Sequence, residues 1–259
     1  MPRGRTGFLT LLAWFAPAAA ALAATDYLGV VPPKAVQPPA AVATCAACHG
    51  ATGTAIAPTF PNLAGQNYSY LLKTLEDFRT GQRKNATMTP MIATVPVAPD
   101  NANLKQLAAY FSAQRLDEAK TPGVAAGPLT LEQAQAGYQL YFQGNAKADV
   151  PSCVACHSMS GEGDPSMAVP RLAGQNAAYL VSQLQQFAAG SRATAPDHVM
   201  AKIAKRLTAP EMQNVSAYLE HMRPSLLPGG GPTSYAQFVQ ANPSGGVPGI
   251  PPAEIAATK

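Results

Sequence analysis

The stretch Cys45-Ala46-Ala47-Cys48-His49 recurs 108 residues later as Cys153-Val154-Ala155-Cys156-His157. Together the two stretches contain all four cysteines of the chain, which has 259 residues. In each of them, two thiols stand three residues apart and a histidine follows the second thiol directly. Because no cysteine falls outside this pattern, we expect the cysteines to serve one purpose, and the same purpose in both places.

The two motifs open two copies of a longer repeat. Three further blocks recur in the same order at nearly the same offset: Pro61–Asn67 as Pro170–Asn176, Tyr70–Gly81 as Tyr179–Gly190, and Ala109–Phe111 as Ala217–Leu219. The constant order and offset predict two homologous domains in tandem, at residues 41–118 and 129–223, joined by a linker at residues 119–128.

The first residues have the pattern of an export signal. Arg3 and Arg5 precede an apolar run that ends in Ala21-Leu22-Ala23, and signal peptidase cleaves after small residues spaced in this way. We therefore expect residues 1–23 to be a signal peptide and the mature protein to be periplasmic. An uncleaved membrane anchor is the alternative, although Pro17 and the many alanines make the run a weak membrane-spanning helix.

Proline and glycine are concentrated at both ends of the mature chain. Residues 24–40 are Pro-rich and are expected to be extended, whereas residues 224–259 form a Pro/Gly-rich tail. Such a composition buries too little apolar surface to offset the entropy that is lost on ordering. We expect the C-terminal tail either to be mobile or to act as a docking arm.

The charge of the chain excludes one class of partner. The whole sequence has 18 basic and 14 acidic residues, and the loss of Arg3 and Arg5 lowers its net charge from +4 to +2. This charge is too small for the electrostatic footprint of a nucleic-acid-binding protein. We therefore expect no nucleic-acid partner.

Apolar residues recur at helical spacing within each repeat. One helix face is expected to consist of Tyr68, Leu71, Leu72, Leu75 and Phe78 in the first domain, and of Leu180, Val181, Leu184 and Phe187 in the second. A last helix is expected to bury Leu104, Leu107, Ala108 and Phe111 in the first domain, and Met212, Val215 and Leu219 in the second. No segment alternates for long in the manner of a strand, so the predicted fold is all-α.

The residues that favour a helix start differ between the two domains more than the apolar faces do. Thr208, with Glu211 three residues later, forms a capping box before the last helix of the second domain. Asp100 occupies the matching start position in the first domain. The pattern of residues Leu131–Phe142 predicts a helix at the start of the second domain. No clear helical pattern precedes Cys45 in the first domain.

The spacing of each motif suits the covalent attachment of heme. Two thiols three residues apart can each form a thioether with one vinyl group of a heme, and the histidine that follows then reaches the iron as an axial ligand. The attachment residues of two heme c groups would be Cys45, Cys48, Cys153 and Cys156. The iron ligands on the same side would be His49 and His157.

Disulfides, redox-active thiols and zinc ligation are the alternative uses of such cysteines. Redox thiols of the thioredoxin type belong to a βαβ setting, which the helical pattern does not provide. Zinc ligation is less suitable because exported thiols tend to oxidise, and a tetrahedral site does not call for a helical repeat.

In combination, these motifs resemble those of diheme class I cytochromes c of the c-four type. The resemblance rests on Cys-Ala-Ala-Cys-His-Gly, Pro-Asn-Leu-Ala-Gly-Gln, a Tyr-Leu-Leu-Lys helix and Met-Thr-x-Met, and it covers residues 41–222 in both halves. It implies two class I cytochrome c folds packed about a pseudo-twofold axis, with hemes close enough for internal electron exchange.

The same resemblance implies a role for Pro61 and Pro170. Their carbonyls would accept a hydrogen bond from the second ring nitrogen of His49 and of His157, which orients the imidazole and tunes the iron. Ordinary turn prolines are the alternative interpretation.

The second axial ligand of each iron is expected to be a methionine, which closes the iron and raises its reduction potential. In the second domain we expect Met200, with His198 as the alternative. In the first domain an ungapped alignment of the repeats favours Met91, whereas the family resemblance favours Met88. We choose Met88, which requires a small insertion near residues 96–99.

The expected function is electron transfer without any catalytic residue. Two His/Met hemes suit a periplasmic shuttle between a quinol-oxidising complex or dehydrogenase and a terminal oxidase. The alternatives are a cytochrome subunit of a larger flavin- or quinone-dependent dehydrogenase, with the tail as its docking arm, and a diheme enzyme with an open heme site. Peripheral contact with a membrane is expected only through such a partner protein.

Overall fold

A computed structural model of the chain describes residue 1 and residues 38–117, 121–125, 127–195, 198–223 and 246–256. The expected signal peptide beyond residue 1, most of the Pro-rich segment at residues 24–40 and part of the linker lie outside the described residues. No helix in the described ranges is long and apolar enough to cross a membrane.

The described residues form helices joined by turns. The first half contains α1 (Val42–His49), α2 (Tyr68–Thr80), α3 (Met88–Ala93) and α4 (Ala102–Ser112). After a short α5 (Pro122–Ala125), the second half contains α6 (Leu131–Gln143), α7 (Val154–His157), α8 (Ala177–Ala188), α9 (Val199–Ala204) and α10 (Ala209–His221). Isolated β-bridges occur within these ranges, but no strand does. The prediction of an all-α fold is confirmed.

The core of the first half lies between α2 and α4. The four apolar residues expected on the inner face of the last helix are all buried, namely Leu104, Leu107, Ala108 and Phe111. From α2, Leu71 and Phe78 are buried against them. Burial of these apolar side chains is the main stabilising term of the first half.

The expected start of α4 at Asp100 is wrong. Asp100 lies in a short 3-10 turn (Pro99–Asn101) with a left-handed φ of 50°, and the residue that precedes α4 is Asn101, also left-handed, with no side-chain capping bond. The physical reason is loop length, since eight residues separate α3 from α4 and only four separate α9 from α10. The longer connection enters the helix through a tight turn, in which Asp and Asn tolerate positive φ.

The core of the second half is built around α6 and α10. The capping box at Thr208 is present: the Glu211 amide donates to Thr208 Oγ1 at 3.3 Å, and the Thr208 amide donates to Glu211 Oε2 at 2.8 Å. The predicted opening helix is also present as α6, and it has a capping box of its own at Thr130. Tyr138 and Tyr218 meet edge to face between the two helices.

The two halves contact each other through reciprocal amide hydrogen bonds. The Gln66 side chain donates to the carbonyl of Arg171 at 2.9 Å and accepts from its backbone amide at 2.8 Å. The Gln175 side chain does the same with Asn62, at 2.9 and 2.8 Å. In the repeat, Asn62 corresponds to Arg171 and Gln66 corresponds to Gln175, so each contact has an equivalent in the opposite direction. This is the arrangement expected of a pseudo-twofold axis.

Residues 246–256 differ from the expectation of a mobile tail, because they pack against the second half. Val247 and Ile250 are buried in its core, and Leu129 forms a parallel bridge with Ile255. The end of α10 supplies partners for the backbone: Tyr218 Oη donates to the carbonyl of Pro248 at 2.9 Å. The Pro/Gly-rich composition of the tail predicts that the entropy lost on ordering outweighs the gain from apolar burial. In residues 246–256, burial of these apolar side chains offsets that loss of entropy. Residues 224–245 and 257–259 lie outside the described part of the chain.

A truncation of Ile250 tests this packing. The side chain is 4% exposed, so Ile250→Ala leaves a cavity and should lower the free energy of unfolding of the second domain by about 2–4 kcal/mol. Ile56 provides a matched control, because it is 64% exposed and Ile56→Ala should cost less than about 0.5 kcal/mol. Urea unfolding followed by circular dichroism measures both. Equal midpoints for the two variants would contradict the packing.

Candidate heme sites

The motif cysteines lie on two short helical turns. Cys45, Cys48 and His49 belong to α1, and Cys153 immediately precedes α7, which ends at His157. None of the four cysteines forms a disulfide. Burial raises the pKa of the Cys45 thiol and raises that of Cys153 to about 11. A redox-active thiol of the thioredoxin type needs a lowered pKa, so these environments do not favour that alternative.

The two motif histidines are buried and held in one orientation. His49 Nδ1 lies 2.9 Å from the carbonyl oxygen of Pro61, and His157 Nδ1 lies 3.1 Å from that of Pro170. Because a carbonyl can only accept, Nδ1 must carry the proton and donate. The lone pair of each imidazole is therefore on Nε2, where it is free to bind a metal ion.

Burial also sets the protonation state of these two rings. It lowers the pKa of both His49 and His157, and the hydrogen bonds to the proline carbonyls offset only part of that effect. Both imidazoles are therefore neutral at pH 7. The neutral ring is the form that serves as an iron ligand.

A glycine after each motif fixes the loop that carries the proline. The Gly53 carbonyl accepts hydrogen bonds from the backbone amides of Leu63, at 2.7 Å, and Ala64, at 3.1 Å. Both of these residues follow shortly after Pro61. Gly161 accepts the same pair of bonds in the second half, at 2.7 and 3.0 Å. The position of each proline carbonyl thus depends on a backbone contact with the segment that follows its histidine.

The two candidate methionines of the first half are in different surroundings. Met88 is the first residue of α3 and packs against the core, whereas Met91 is 37% exposed. Both α3 and α9 have six residues, and Met200 is the second residue of α9. Met88 therefore matches Met200 in helix register more closely than Met91 does, although the ungapped sequence alignment pairs Met91 with Met200.

In the second half, Met200 is half-buried, whereas His198 is exposed and precedes α9 with a left-handed φ of 54°. The remaining methionines of this half lie elsewhere: Met212 and Met222 are buried in its core, and Met159 and Met167 are exposed. The surroundings therefore favour Met200 over His198.

Each half thus supplies a donor set that fits a covalent heme. Two free thiols and a neutral histidine with an available Nε2 lie on one short turn, and a partly buried thioether lies at the start of a later helix. Thioether attachment and His/Met ligation need these groups and no others. The assignment of these residues to two hemes stays a prediction.

One supporting residue gives no signal in the sequence. Tyr141 is buried on α6, and its hydroxyl donates to the carbonyl of Ser158 at 2.6 Å, directly after His157. Helical spacing identifies Tyr141 as a member of α6, but this long-range bond depends on how the helix packs. It anchors the chain where it leaves the second motif.

Known proteins are similar to this chain in sequence and in fold. The family model described as "Cytochrome c" matches residues 40–114 and 134–223, so the prediction of two tandem cytochrome c domains is confirmed. A protein named cytochrome c4 from Azotobacter vinelandii is 38% identical over 188 residues, covering 69% of this chain and 84% of the relative. The crystal structure of reduced recombinant cytochrome c4 from Pseudomonas stutzeri matches with a TM-score of 0.62 and 33% identity, over 69% of this chain and 93% of that one.

A further relative has a more specific name. A protein called thiosulfate dehydrogenase electron acceptor, from Thiomonas intermedia, is 34% identical over 212 residues, covering 82% of this chain and 86% of the relative. This alignment is longer than the span from residue 40 to residue 223. The similarity therefore includes residues outside the two matched domains and their linker.

Replacement of Gly53 tests how the proline loop is held. A Cβ at this position would lie 2.6 Å from the Ala64 amide nitrogen, whereas a Cβ at Gly81 would meet nothing within 4 Å. Both glycines have positive φ, so both alanine variants carry a backbone cost of about 1–2 kcal/mol, and Gly53→Ala should lose about 1–3 kcal/mol more. Chemical unfolding of the first domain measures the difference. Equal losses for Gly53→Ala and Gly81→Ala would show that the contact does not constrain the loop.

Proposed function

We propose that this chain, which belongs to the cytochrome c family, is a diheme electron carrier of the cytochrome c4 type that works in the periplasm after removal of residues 1–23. Its two domains, at residues 41–118 and 129–223, would each carry one covalently bound heme c. The observation that carries the proposal is the repetition, in both halves, of a buried histidine oriented by a proline carbonyl.

The motifs support a role for each residue. Cys45 and Cys48 attach the first heme, Cys153 and Cys156 the second. His49 and Met88 would hold the first iron, and His157 and Met200 would hold the second. Pro61 and Pro170 hold the two imidazoles. Heme iron supplies the redox chemistry by cycling between its ferrous and ferric states, one electron at a time.

Closure of both irons by methionine would make the protein a carrier. A six-coordinate iron has no position for a substrate, and a thioether ligand raises its reduction potential. The relatives named cytochrome c4 support the same conclusion. The protein moves electrons between partners, and we assign no catalytic residue.

The partners are expected to be proteins at the two ends of a short electron-transfer chain. A quinol-oxidising complex or a dehydrogenase would supply electrons, and a terminal oxidase would accept them, with any contact to the membrane made through these partners.

A second candidate function is supported by a specific relative. The protein from Thiomonas intermedia is named as an electron acceptor of thiosulfate dehydrogenase, and its similarity extends beyond the two domains. In this role the chain would be the cytochrome partner of a larger dehydrogenase. The two roles are distinguished by which purified donor, a quinol-oxidising complex or a thiosulfate dehydrogenase, reduces the protein at the higher rate.

The assignment of Met88 is tested by paired replacements. Met88→Ala should abolish the near-infrared sulfur-to-iron band of the first heme and open that iron to carbon monoxide, because its thioether ligand is lost. Met91→Ala should leave the band in place, since Met91 is more exposed. Loss of the band only in Met91→Ala would reverse the assignment.

Potentiometric titration with optical detection tests the carrier function itself. Two one-electron steps at high potential are expected, because both irons are His/Met-ligated. The protein should also bind neither carbon monoxide nor peroxide readily. A strongly negative step, or rapid binding of carbon monoxide by the unmodified protein, would instead support an open heme site.

A further inference from the structure

The peptide unit that holds His49 also contacts the opposite half of the molecule. Its carbonyl oxygen, on Pro61, accepts from His49 Nδ1 at 2.9 Å. Its N–H, on Asn62, donates to Gln175 Oε1 at 2.8 Å. Because resonance couples the carbonyl and the N–H of one peptide unit, the two hydrogen bonds act on the same group of electrons. One peptide unit therefore links His49 to a side chain of the second half.

The second half has the same arrangement in the opposite direction. His157 Nδ1 lies 3.1 Å from the carbonyl oxygen of Pro170, and the N–H of that peptide unit, on Arg171, donates to Gln66 Oε1 at 2.8 Å. The two glutamines, Gln66 and Gln175, occupy equivalent positions in the repeat, and both are buried. Each glutamine thus contacts the peptide unit that holds the histidine of the other half.

A second hydrogen bond fixes the orientation of each glutamine amide. Gln175 Nε2 donates to the carbonyl of Asn62 at 2.9 Å, and Gln66 Nε2 donates to that of Arg171 at 2.9 Å. A rotation of either amide by half a turn would place donor against donor and acceptor against acceptor. The oxygen of each glutamine is therefore kept on the N–H of the peptide unit that supports the histidine.

An acceptor at the N–H of a peptide unit makes the carbonyl of that unit a stronger acceptor. Consecutive hydrogen bonds polarise one another, which strengthens each by about 10–30%. The glutamine oxygen therefore draws the Nδ1 proton of the histidine further towards the proline carbonyl and raises the electron density on Nε2. A more basic imidazole is a better iron ligand and stabilises the ferric state more than the ferrous state.

We propose that Gln175 is a positioning residue that lowers the reduction potential of the heme held by His49, and that Gln66 does the same for the heme held by His157. This inference rests on the proposed attachment of two hemes. Each half thereby adjusts the potential of the heme in the other half, through a single peptide unit. Neither glutamine touches the heme iron in this account, because each acts through the proline carbonyl.

The effect should be larger on the first heme. Asn62 is only 3% exposed, whereas Arg171 is half-buried, and hydrogen bonds polarise one another more strongly where water is excluded. The Asn62 side chain also donates to the carbonyl of Gly174 at 2.8 Å. This additional bond holds the peptide unit of the first half against the second half.

Replacement of each glutamine by methionine tests the proposal, because methionine keeps the length of the side chain and removes the amide. Gln175→Met should raise the potential of the first heme by about threefold in the reduction equilibrium constant, or about 28 mV at about 59 mV per tenfold, and should leave the second unchanged. Gln66→Met should raise only the second potential, by a smaller amount. Potentiometric titration followed by NMR of the His49 and His157 imidazole signals assigns each step to its heme.

Two asparagines provide matched controls, because they also form hydrogen bonds across the boundary. Asn67 Nδ2 donates to the carbonyl of Val169 at 2.7 Å, and Asn176 Nδ2 donates to that of Phe60 at 2.7 Å. Neither carbonyl accepts from a motif histidine, so Asn67→Ala and Asn176→Ala should leave both potentials unchanged. Shifts as large as those of the glutamine variants would show that the potentials respond to a looser boundary, and would overturn the proposal.

Heme content distinguishes failure of this proposal from failure of the proposed function. A wild-type protein without two covalent hemes refutes the carrier function. Two hemes with no shift, or with a shift at the heme of the glutamine's own half, refute only the role of the glutamines. NMR of the reduced wild-type protein adds a test that needs no variant: a scalar coupling should connect the Asn62 amide nitrogen with the side-chain carbonyl carbon of Gln175. Absence of that coupling would overturn the proposal for the first heme.

Discussion

The hydrogen bond from a buried histidine to a proline carbonyl is the interaction on which both halves of the molecule depend. It fixes the tautomer of His49 and of His157, and so places the available lone pair of each ring on Nε2. The bond in turn requires that the proline loop be held against the segment after the motif, which Gly53 and Gly161 achieve through their carbonyls. The helices of each half serve to hold these two segments together.

The same block of sequence joins the heme site to the domain interface. Pro61 holds His49, while the next residues of the block, Asn62 and Gln66, hydrogen-bond to the other half. The second copy of the block makes the reciprocal contacts. A displacement of the two halves would therefore disturb the support of both histidines. This coupling gives a structural reason why the two domains stay together as one carrier.

The sequence predicted what depends on local spacing and missed what depends on tertiary contacts. The faces of α2, α4 and α10 follow from helical periodicity, and the Thr208 capping box follows from two residues three apart. Asp100 was misplaced because loop length, rather than residue type, decides how α4 begins. The packing of residues 246–256 could not be foreseen from a Pro/Gly-rich composition, since a few apolar side chains suffice when α10 offers partners. The choice of Met88 over Met91 stays a prediction, because it depends on the lengths of the connections around α3.

The central claim is that each half binds one heme covalently through its own motif. Proteolysis of the denatured protein, followed by mass spectrometry of the peptides, tests it most directly, because thioether bonds survive denaturation whereas other heme contacts do not. One heme should be found on the peptide that contains Cys45 and Cys48, and one on the peptide that contains Cys153 and Cys156. A heme on only one of these peptides, or a disulfide within either motif, would contradict the account.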